Sequence, residues 1–238
     1  MSTITSIPHS PAAHAKAAAV ALEERGVIRD ASWNLYDQLS EAIGEQSPIR
    51  LAFDGMDIEI MVLGPKHEDF RDIFSLFVNE LYFELEIDCR GLGSTTWKRS
   101  ELSRGIEADL CFYFDPAKLR LSEEAAARGS NHVADYPNPD LAIEVDLSPS
   151  KIDGPGIYSA LEVAEIWRFE AGSITIEQLS ADGRYAAAES SRFLHVKPAE
   201  ITRWVITENS SNRRDWRKRL QEWMKTELKP RVSAWYAI

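Results

Sequence analysis

The feature that most constrains the fold is the alternating stretch at residues 140–147, with the sequence DLAIEVDL, which is followed at once by SPS. Leu141, Ile143, Val145 and Leu147 alternate there with Asp140, Ala142, Glu144 and Asp146. This period of two predicts a β-strand with one face in the core. Glu144 and Asp146 then share one face, where they repel each other and lose hydration. They therefore need a cation, a proton or a basic partner, and a divalent metal ion is the simplest answer.

A second alternating stretch, IEADLCFYF at residues 106–114, supplies further carboxylates. The same period predicts that Ile106, Ala108, Leu110, Phe112 and Phe114 face one way, and that Glu107, Asp109, Cys111 and Tyr113 face the other. If the two strands are neighbours in one sheet, opposite residues lie about 5 Å apart. Asp109 and Glu144 would then be close enough to hold the same Mg²⁺, with oxygen ligands of the kind that this ion prefers. The pairing is a hypothesis that the sequence does not prove.

Composition limits the classes of function. A chain of 238 residues, 44% hydrophobic and 27% charged, is long enough for one globular domain with a substantial core. The net charge of -11 argues against a general polyanion-binding surface, because nonspecific affinity for nucleic acid comes mainly from Lys and Arg. Contact with DNA must then be local, metal-assisted or made through a partner. Cys89 and Cys111 match no zinc-binding spacing and are predicted to be reduced thiols.

The sequence predicts neither a targeting segment nor a membrane span. The Ala-rich start is interrupted by His9, His14 and Lys16, so it lacks the apolar centre of a signal peptide. No apolar run reaches the roughly 18 residues that a bilayer crossing requires. We therefore expect a cytoplasmic protein that does not bind membranes.

The flanking segments are predicted to be helical. Residues 1–45 form an N-terminal helical extension, with one helix over 11–24 and a second that begins after the N-cap Ser32 and ends at Gly44. Residues 46–185 form the core, in which an amphipathic helix starts near His67, and residues 186–238 form a C-terminal helical extension. The acidic residues between 54 and 88 are interpreted as a solvated helix face.

The C-terminal extension holds a basic cluster, for which two interpretations stay open. Its members are Arg213, Arg214, Arg217, Lys218 and Arg219, with Asp215 as the acidic residue among them. The cluster is either a contact to a DNA backbone or an ordinary charged helix face.

Several ordered motifs between residues 49 and 169 resemble one family. They are Asp54-Gly55, GSTTW at 93–97, GIEAD at 105–109, PDLAIEVD at 139–146 with SPS at 148–150, YSAL at 158–161 and EIW at 165–167. Together they resemble the Uma-type restriction endonucleases, a branch of the PD-(D/E)XK nuclease superfamily. The resemblance implies an α/β fold, a restriction-endonuclease-like mixed β-sheet flanked by helices. It also implies a Mg²⁺-dependent DNA endonuclease, with Mn²⁺ as an alternative ion, in which Asp109 and Glu144 bind the metal.

The chain departs from the family pattern at several positions. Asp146 stands where the superfamily has a lysine two residues after the glutamate, and Gly154 stands where many members have one in the next helix. Lys151 is the candidate stand-in, and Asp146 is a candidate extra ligand or water orienter. Leu51 replaces an early glutamate, and Ala108 replaces a common proline.

These departures leave two main hypotheses. The first is a DNA endonuclease with Asp109, Glu144, Asp146 and Lys151 as catalytic residues and the first three as metal ligands. The alternative is a catalytically degenerate nuclease-fold protein that acts as a binding or partner-dependent module. A structural protein with buried ion pairs is a third interpretation.

A homodimer would supply the two sites that cutting both strands of a duplex requires.

Overall fold

A computed structural model describes residues 23–44, 47–170 and 172–236, with side chains described as far as residue 232. Within these residues one mixed β-sheet of nine strands runs through the molecule. The strands are β1 (Glu24–Ile28), β2 (Ile49–Phe53), β3 (Ile58–Val62), β4 (Arg90–Arg99), β5 (Arg104–Tyr113), β6 (Leu141–Asp146), β7 (Glu165–Glu170), β8 (Ser173–Leu179) and β9 (Tyr185–Ala187). Their order is β1-β3-β2-β5-β6-β7-β8-β9, and β4 pairs with β5 outside this path.

Helices flank the sheet, which confirms the predicted α/β class. They are α1 (Trp33–Ile43), α2 (Pro65–Leu85), α3 (Pro116–Ala127), α4 (Gly154–Ala160), α5 (Pro198–Ile201), α6 (Arg213–Trp223) and α7 (Lys229–Tyr236). The π-helical segment Thr202–Thr207 extends α5, and a second one, Met224–Leu228, joins α6 to α7. None of these helices combines the length and the hydrophobicity that crossing a bilayer requires.

The helix predicted after Ser32 is confirmed as α1. The Ser32 side chain accepts a hydrogen bond from the backbone N–H of Leu35 at 3.2 Å, which satisfies one of the free donors at the start of the helix. The helix ends at Gly44, whose φ of 72° lies in the region that favours glycine.

Strand β1 was not predicted. The helix expected over residues 11–24 lies outside the described residues except for its last two positions, and Glu24 begins a strand. This strand pairs antiparallel with β3, with Gly26 opposite Ile60. Five residues are too few for a clear periodicity, so only the pairing with a distant strand defines them as β. The first 45 residues are therefore not wholly helical, and the division into domains stays a prediction.

Strand β5 does not alternate strictly, which corrects the predicted facing of residues 106–114. Asp109 and Leu110 both lie opposite Ser94, because the register with β4 shifts between Gly93 and Thr95. Ile106, Ala108, Cys111 and Tyr113 consequently pack in one layer, whereas Leu110 and Phe112 pack in the other. Such a bulge redirects a side chain and is common beside active sites. Here the redirected residue is Asp109.

Both faces of the sheet are covered. On one face α2 and the helices after residue 198 bury the larger apolar cluster, which includes Phe74, Trp167 and Trp216. On the other face α4 packs over Trp97 and Ala142. The candidate site lies at the boundary between these layers, where β5 and β6 stop pairing.

The basic cluster of α6 lies against the acidic face of α2. Arg217 Nε lies 2.6 Å from Glu80 Oε1, and Arg213 Nη2 lies 3.8 Å from Asp72 Oδ2. Arg219 is paired with Glu208. These contacts favour the interpretation of a charged helix face, because three of the five basic side chains already have acidic partners.

We expect Arg217→Gln to reduce the free energy of unfolding by only about 0.2–1 kcal/mol, because exposed ion pairs contribute that much. The guanidinium is 61% exposed, although Glu80 is 12% exposed. Urea unfolding measures the change, and Arg214→Gln on the exposed side of α6 is the matched control. A large loss of DNA affinity in the Arg217 variant alone would restore the DNA-contact interpretation.

Candidate functional site

Strands β5 and β6 bring the two predicted metal-binding carboxylates together. The strands pair antiparallel, with Cys111 opposite Ala142 and Leu110 opposite Ile143. Continuing this register places Asp109 opposite Glu144, at the point where the ladder ends. The strand pairing on which the hypothesis of a shared cation depends is therefore present.

Asp109 is held by one of its two carboxylate oxygens. Oδ2 accepts a hydrogen bond from the backbone N–H of Val145 at 2.8 Å and lies 3.2 Å from Nε2 of His67 on α2. The side chain thus takes the place of a backbone acceptor at the end of the β5–β6 ladder. The residue is 1% exposed, and Oδ1 is buried with no hydrogen-bond partner among the described residues. A buried acceptor without a partner is costly, so Oδ1 is available to a cation.

His67 is a second buried titratable group beside Asp109, and it was missed as a functional candidate. Burial alone would lower the pKa of its imidazole. The hydrogen bond to Asp109 and the negative charges of Asp109, Glu23 and Glu68 outweigh burial and raise that pKa above its usual value.

Ionisation of the Glu144 and Asp146 carboxyl groups is unfavourable in the folded protein. Burial, followed by the charges of Asp109 and Asp146, raises the pKa of Glu144 well above its usual range, although a hydrogen bond from the Tyr158 hydroxyl opposes this. Burial also raises the pKa of Asp146 to about 6, despite the opposing charge of Arg25. A bound cation would relieve this repulsion, because it favours the ionised form of each carboxylate.

Arg25 on β1 reaches into this group of carboxylates. Its side chain is 3% exposed and makes ion pairs with Asp146 and, at 2.7 Å, with Glu59 Oε2. It also donates to Glu23 Oε2 at 3.2 Å and to Ser148 Oγ at 3.0 Å. Three strands separate β1 from β6 in the sheet order, so the sheet curls to bring these side chains together. The sequence holds no local signal for this contact.

Glu23 and Glu59 shape the segment after β6. Glu23 Oε2 accepts hydrogen bonds from the backbone N–H groups of Leu147 and Ser148, at 3.1 and 3.0 Å. Glu59 Oε1 accepts from the backbone N–H of Lys151 at 2.6 Å. The Ser-Pro-Ser motif is therefore fixed by the carboxylates of Glu23, just before β1, and of Glu59 on β3.

The structure does not bring the ammonium group of Lys151 to the carboxylates. Its Nζ donates to the backbone oxygen of Arg25 at 2.8 Å, and the side chain is exposed. The cation that contacts Asp146 is Arg25 instead.

A cavity of about 50 Å³ opens beside Glu144 and Asp146. Two further arginines contribute to its wall: Arg50, which lies 3.0 Å from Glu107, and Arg168, which lies 3.1 Å from Glu170. Leu51, Gly154 and Tyr158 also line the cavity. Leu51 and Gly154 are the positions at which the chain lacks the glutamate and the lysine of the Uma-type pattern. Asp146, a third departure, also lines the cavity, whereas Ala108 does not.

The donor atoms suit a divalent cation with oxygen ligands, although the cluster is not a closed metal site. Among residues 23–44, 47–170 and 172–236, no three His, Cys, Asp or Glu side chains already converge in the way that such a site needs. Mg²⁺ does not require this, because it is usually held by one or two carboxylates together with water and phosphate oxygens. The unpartnered Oδ1 of Asp109 and the neighbouring Glu144 provide that minimal set. The residues therefore fit Mg²⁺ or Mn²⁺.

Comparison with known proteins identifies the fold. No protein-family model and no curated protein sequence matches the chain. The chain is similar to a crystal structure from Anabaena variabilis described as "a putative nuclease belonging to DUF820". The match has a TM-score of 0.50 and 13% sequence identity, and it covers 74% of this chain and 99% of that one. The chain has a nuclease-like fold. At 13% identity, this similarity shows a shared fold and nothing further.

Proposed function

We propose that this protein is a Mg²⁺-dependent DNA endonuclease of the Uma type within the PD-(D/E)XK superfamily. One observation carries the proposal: Asp109 lies opposite Glu144 where β5 and β6 separate, and its Oδ1 is buried without a partner. The nuclease-like fold supports it, as does the description of the Anabaena protein as "a putative nuclease".

In this proposal Asp109 and Glu144 hold the metal ion, and Asp146 is an extra ligand or orients the attacking water. A divalent ion bound there would lower the pKa of a water and stabilise the charge that grows on a phosphate oxygen. Arg168 lies beside Glu144 on β7 and lines the cavity, where its guanidinium could bind a phosphate oxygen. Lys151 would have to leave the Arg25 carbonyl oxygen to assist the water.

Nicking of supercoiled plasmid tests the proposal. We expect the wild-type protein to nick plasmid with Mg²⁺ or Mn²⁺ and to stop when EDTA is added. Asp109→Asn should lose this activity, because a neutral amide binds a divalent cation far more weakly than a carboxylate does. Circular dichroism shows whether the variant is folded. Nicking by a folded Asp109→Asn protein at the wild-type rate would refute the role of Asp109.

A second candidate function is favoured by the contacts of Arg25. This guanidinium already forms ion pairs with Asp146 and Glu59. The two positions at which the superfamily pattern has a lysine are occupied by Asp146 and Gly154, neither of which is basic. A protein of this kind would keep the fold and bind the metal without cutting DNA. It would show thermal stabilisation by Mg²⁺ and no nicking of any DNA or RNA tested.

A further inference from the structure

We propose that the Arg25 guanidinium fills one of two cation positions in the acidic cluster, so that the protein binds one divalent metal ion and not two. The acidic cluster comprises Glu23, Glu59, Asp109, Glu144 and Asp146. The inference rests on the proposed metal site at Asp109 and Glu144, and it states how many ions that site accepts.

The first position is defined by the contacts of Arg25. The guanidinium contacts carboxylates from three elements: Glu23 before β1, Glu59 on β3 and Asp146 at the end of β6. These side chains are 0%, 6% and 10% exposed, and that of Arg25 is 3% exposed, so little water reaches them. Removing one member of a buried ion pair leaves an uncompensated charge that is strongly destabilising. Arg25 is therefore a structural counter-ion at this position.

The second position has no arginine or lysine among the described residues, and the basic group that contacts it is the imidazole of His67. Asp109 binds Val145 and His67 through Oδ2, which leaves its buried Oδ1 without a partner among the described residues. Glu144 accepts a hydrogen bond from the hydroxyl of Tyr158, which is a neutral group. Asp109 Oδ1 and the Glu144 carboxylate thus form no ion pair with an arginine or lysine among the described residues, and a divalent ion would bind these oxygens.

The distribution of charge sets the number of ions. Four buried carboxylates and the partly buried Glu144 lie beside one guanidinium and the imidazole of His67, so carboxylates outnumber basic groups and the cluster still needs a cation. One divalent ion beside Asp109 and Glu144 supplies it. A second divalent ion would have to displace Arg25 from three carboxylates, and the backbone of Arg25 is fixed by the pairing of β1 with β3. The wild-type cluster therefore accepts one ion.

This arrangement predicts that loss of the guanidinium creates a metal site. In Arg25→Gln the carboxylates of Glu23, Glu59 and Asp146 would face a space without their counter-charge. One or two of these carboxylates, completed by water, are oxygen ligands of the kind that Mg²⁺ or Mn²⁺ binds. The variant should be less stable than the wild type without metal and should be rescued by Mn²⁺.

Equilibrium binding of Mn²⁺ to the full chain, followed by the electron paramagnetic resonance signal of the free ion, tests the inference. We expect one ion per chain for the wild type, two for Arg25→Gln and one for Arg25→Lys, which keeps the positive charge. Arg29→Gln is the matched control, because it removes an exposed guanidinium that is paired with Asp57 just beyond β1. It should bind one ion.

The outcomes separate this inference from the proposed function. Two ions on the wild type, or one ion on a folded Arg25→Gln protein, would overturn the inference and leave the metal site at Asp109 intact. No ion on the wild type would overturn both. If Arg25→Gln does not fold even in Mn²⁺, Glu59→Gln decides. It should bind one ion with the wild-type affinity, whereas loss of that ion would place the metal on the Arg25 side and refute the inference.

Discussion

Glu144→Gln should reduce plasmid nicking by about 10²–10³-fold and at the same time raise the melting temperature of the protein. Loss of one group that stabilises transition-state charge typically has an effect of this size on the rate. Glutamine keeps the shape of the side chain and an oxygen that accepts the hydrogen bond from Tyr158. It lacks the negative charge that a metal ligand supplies. Initial nicking rates with saturating Mg²⁺ measure the first effect.

The gain in stability follows from the sign of the pKa shift. Burial, with the charges of Asp109 and Asp146, raises the pKa of Glu144 in the folded state above its usual value of 4.5. The fold therefore prefers the neutral side chain, and wild-type stability falls as pH rises from 4.5 through the folded-state pKa. Glutamine has no charge to bury. The difference in melting temperature between variant and wild type should widen over this pH range and then stay constant.

Both effects are measured against a control substitution that removes one carboxylate elsewhere in the protein. Glu124→Gln removes a carboxylate from an exposed ion pair on α3 and should change neither property appreciably. Melting curves are recorded in EDTA, so that bound metal does not stabilise the wild type. Wild-type nicking by Glu144→Gln would contradict its role as a ligand. A lower melting temperature that persists at every pH would contradict the unfavourable burial of its charge.

The strands that carry Asp109 and Glu144 were predictable from the sequence because each has its own local signal, whereas their pairing was a hypothesis that the structure had to test. A period of two is local, and the acidic residues fall on the polar positions of both strands. The cap of α1 was predictable for the same reason, since Ser32 and Gly44 act on adjacent residues. The mixed sheet with its flanking helices agrees with the fold that the family resemblance implied.

The features that were missed depend on contacts between distant residues. Arg25 lies in a five-residue strand whose partner, β3, begins 33 residues later, and it contacts Asp146, which lies 121 residues away. Nothing near Arg25 in the sequence marks it as buried. The bulge at Asp109 is also invisible locally, because it exists only as a register shift against β4. Proximity in the sequence favours Lys151, whereas the curl of the sheet brings Arg25 to the carboxylates.

Glu165 shows that a residue in a family-like motif can have a structural role. It begins β7, is 0% exposed and accepts four hydrogen bonds. Oε1 accepts from Trp167 Nε1 at 2.8 Å and Ser191 Oγ at 2.6 Å. Oε2 accepts from Gln178 Nε2 and the backbone N–H of Arg192, at 2.9 and 2.8 Å. One carboxylate thus ties β7 to β8 and to the segment that precedes α5.

We expect Glu165→Ala to reduce the free energy of unfolding by about 3–5 kcal/mol. The substitution removes the acceptor of four donors, of which Gln178 Nε2 keeps a second acceptor in the Ser190 carbonyl oxygen. Each buried donor that loses its partner costs about 1–3 kcal/mol before the structure relaxes. Glu165→Gln should cost less, about 1–3 kcal/mol. The side-chain oxygen of glutamine still accepts hydrogen bonds from one pair of donors, whereas its NH₂ group faces the other pair and accepts none. Urea unfolding at neutral pH measures both changes.

Glu170→Ala is the matched control, because it removes the same residue type from the other end of β7. The Glu170 side chain is 39% exposed in its ion pair with Arg168, so its loss should cost less than about 1 kcal/mol. Glu165→Ala should also keep its nicking activity at temperatures well below its unfolding transition, because Glu165 does not line the cavity at Glu144. Equal unfolding midpoints for the two alanine variants, together with lost nicking by Glu165→Ala alone, would reverse the assignment and make Glu165 part of the active site.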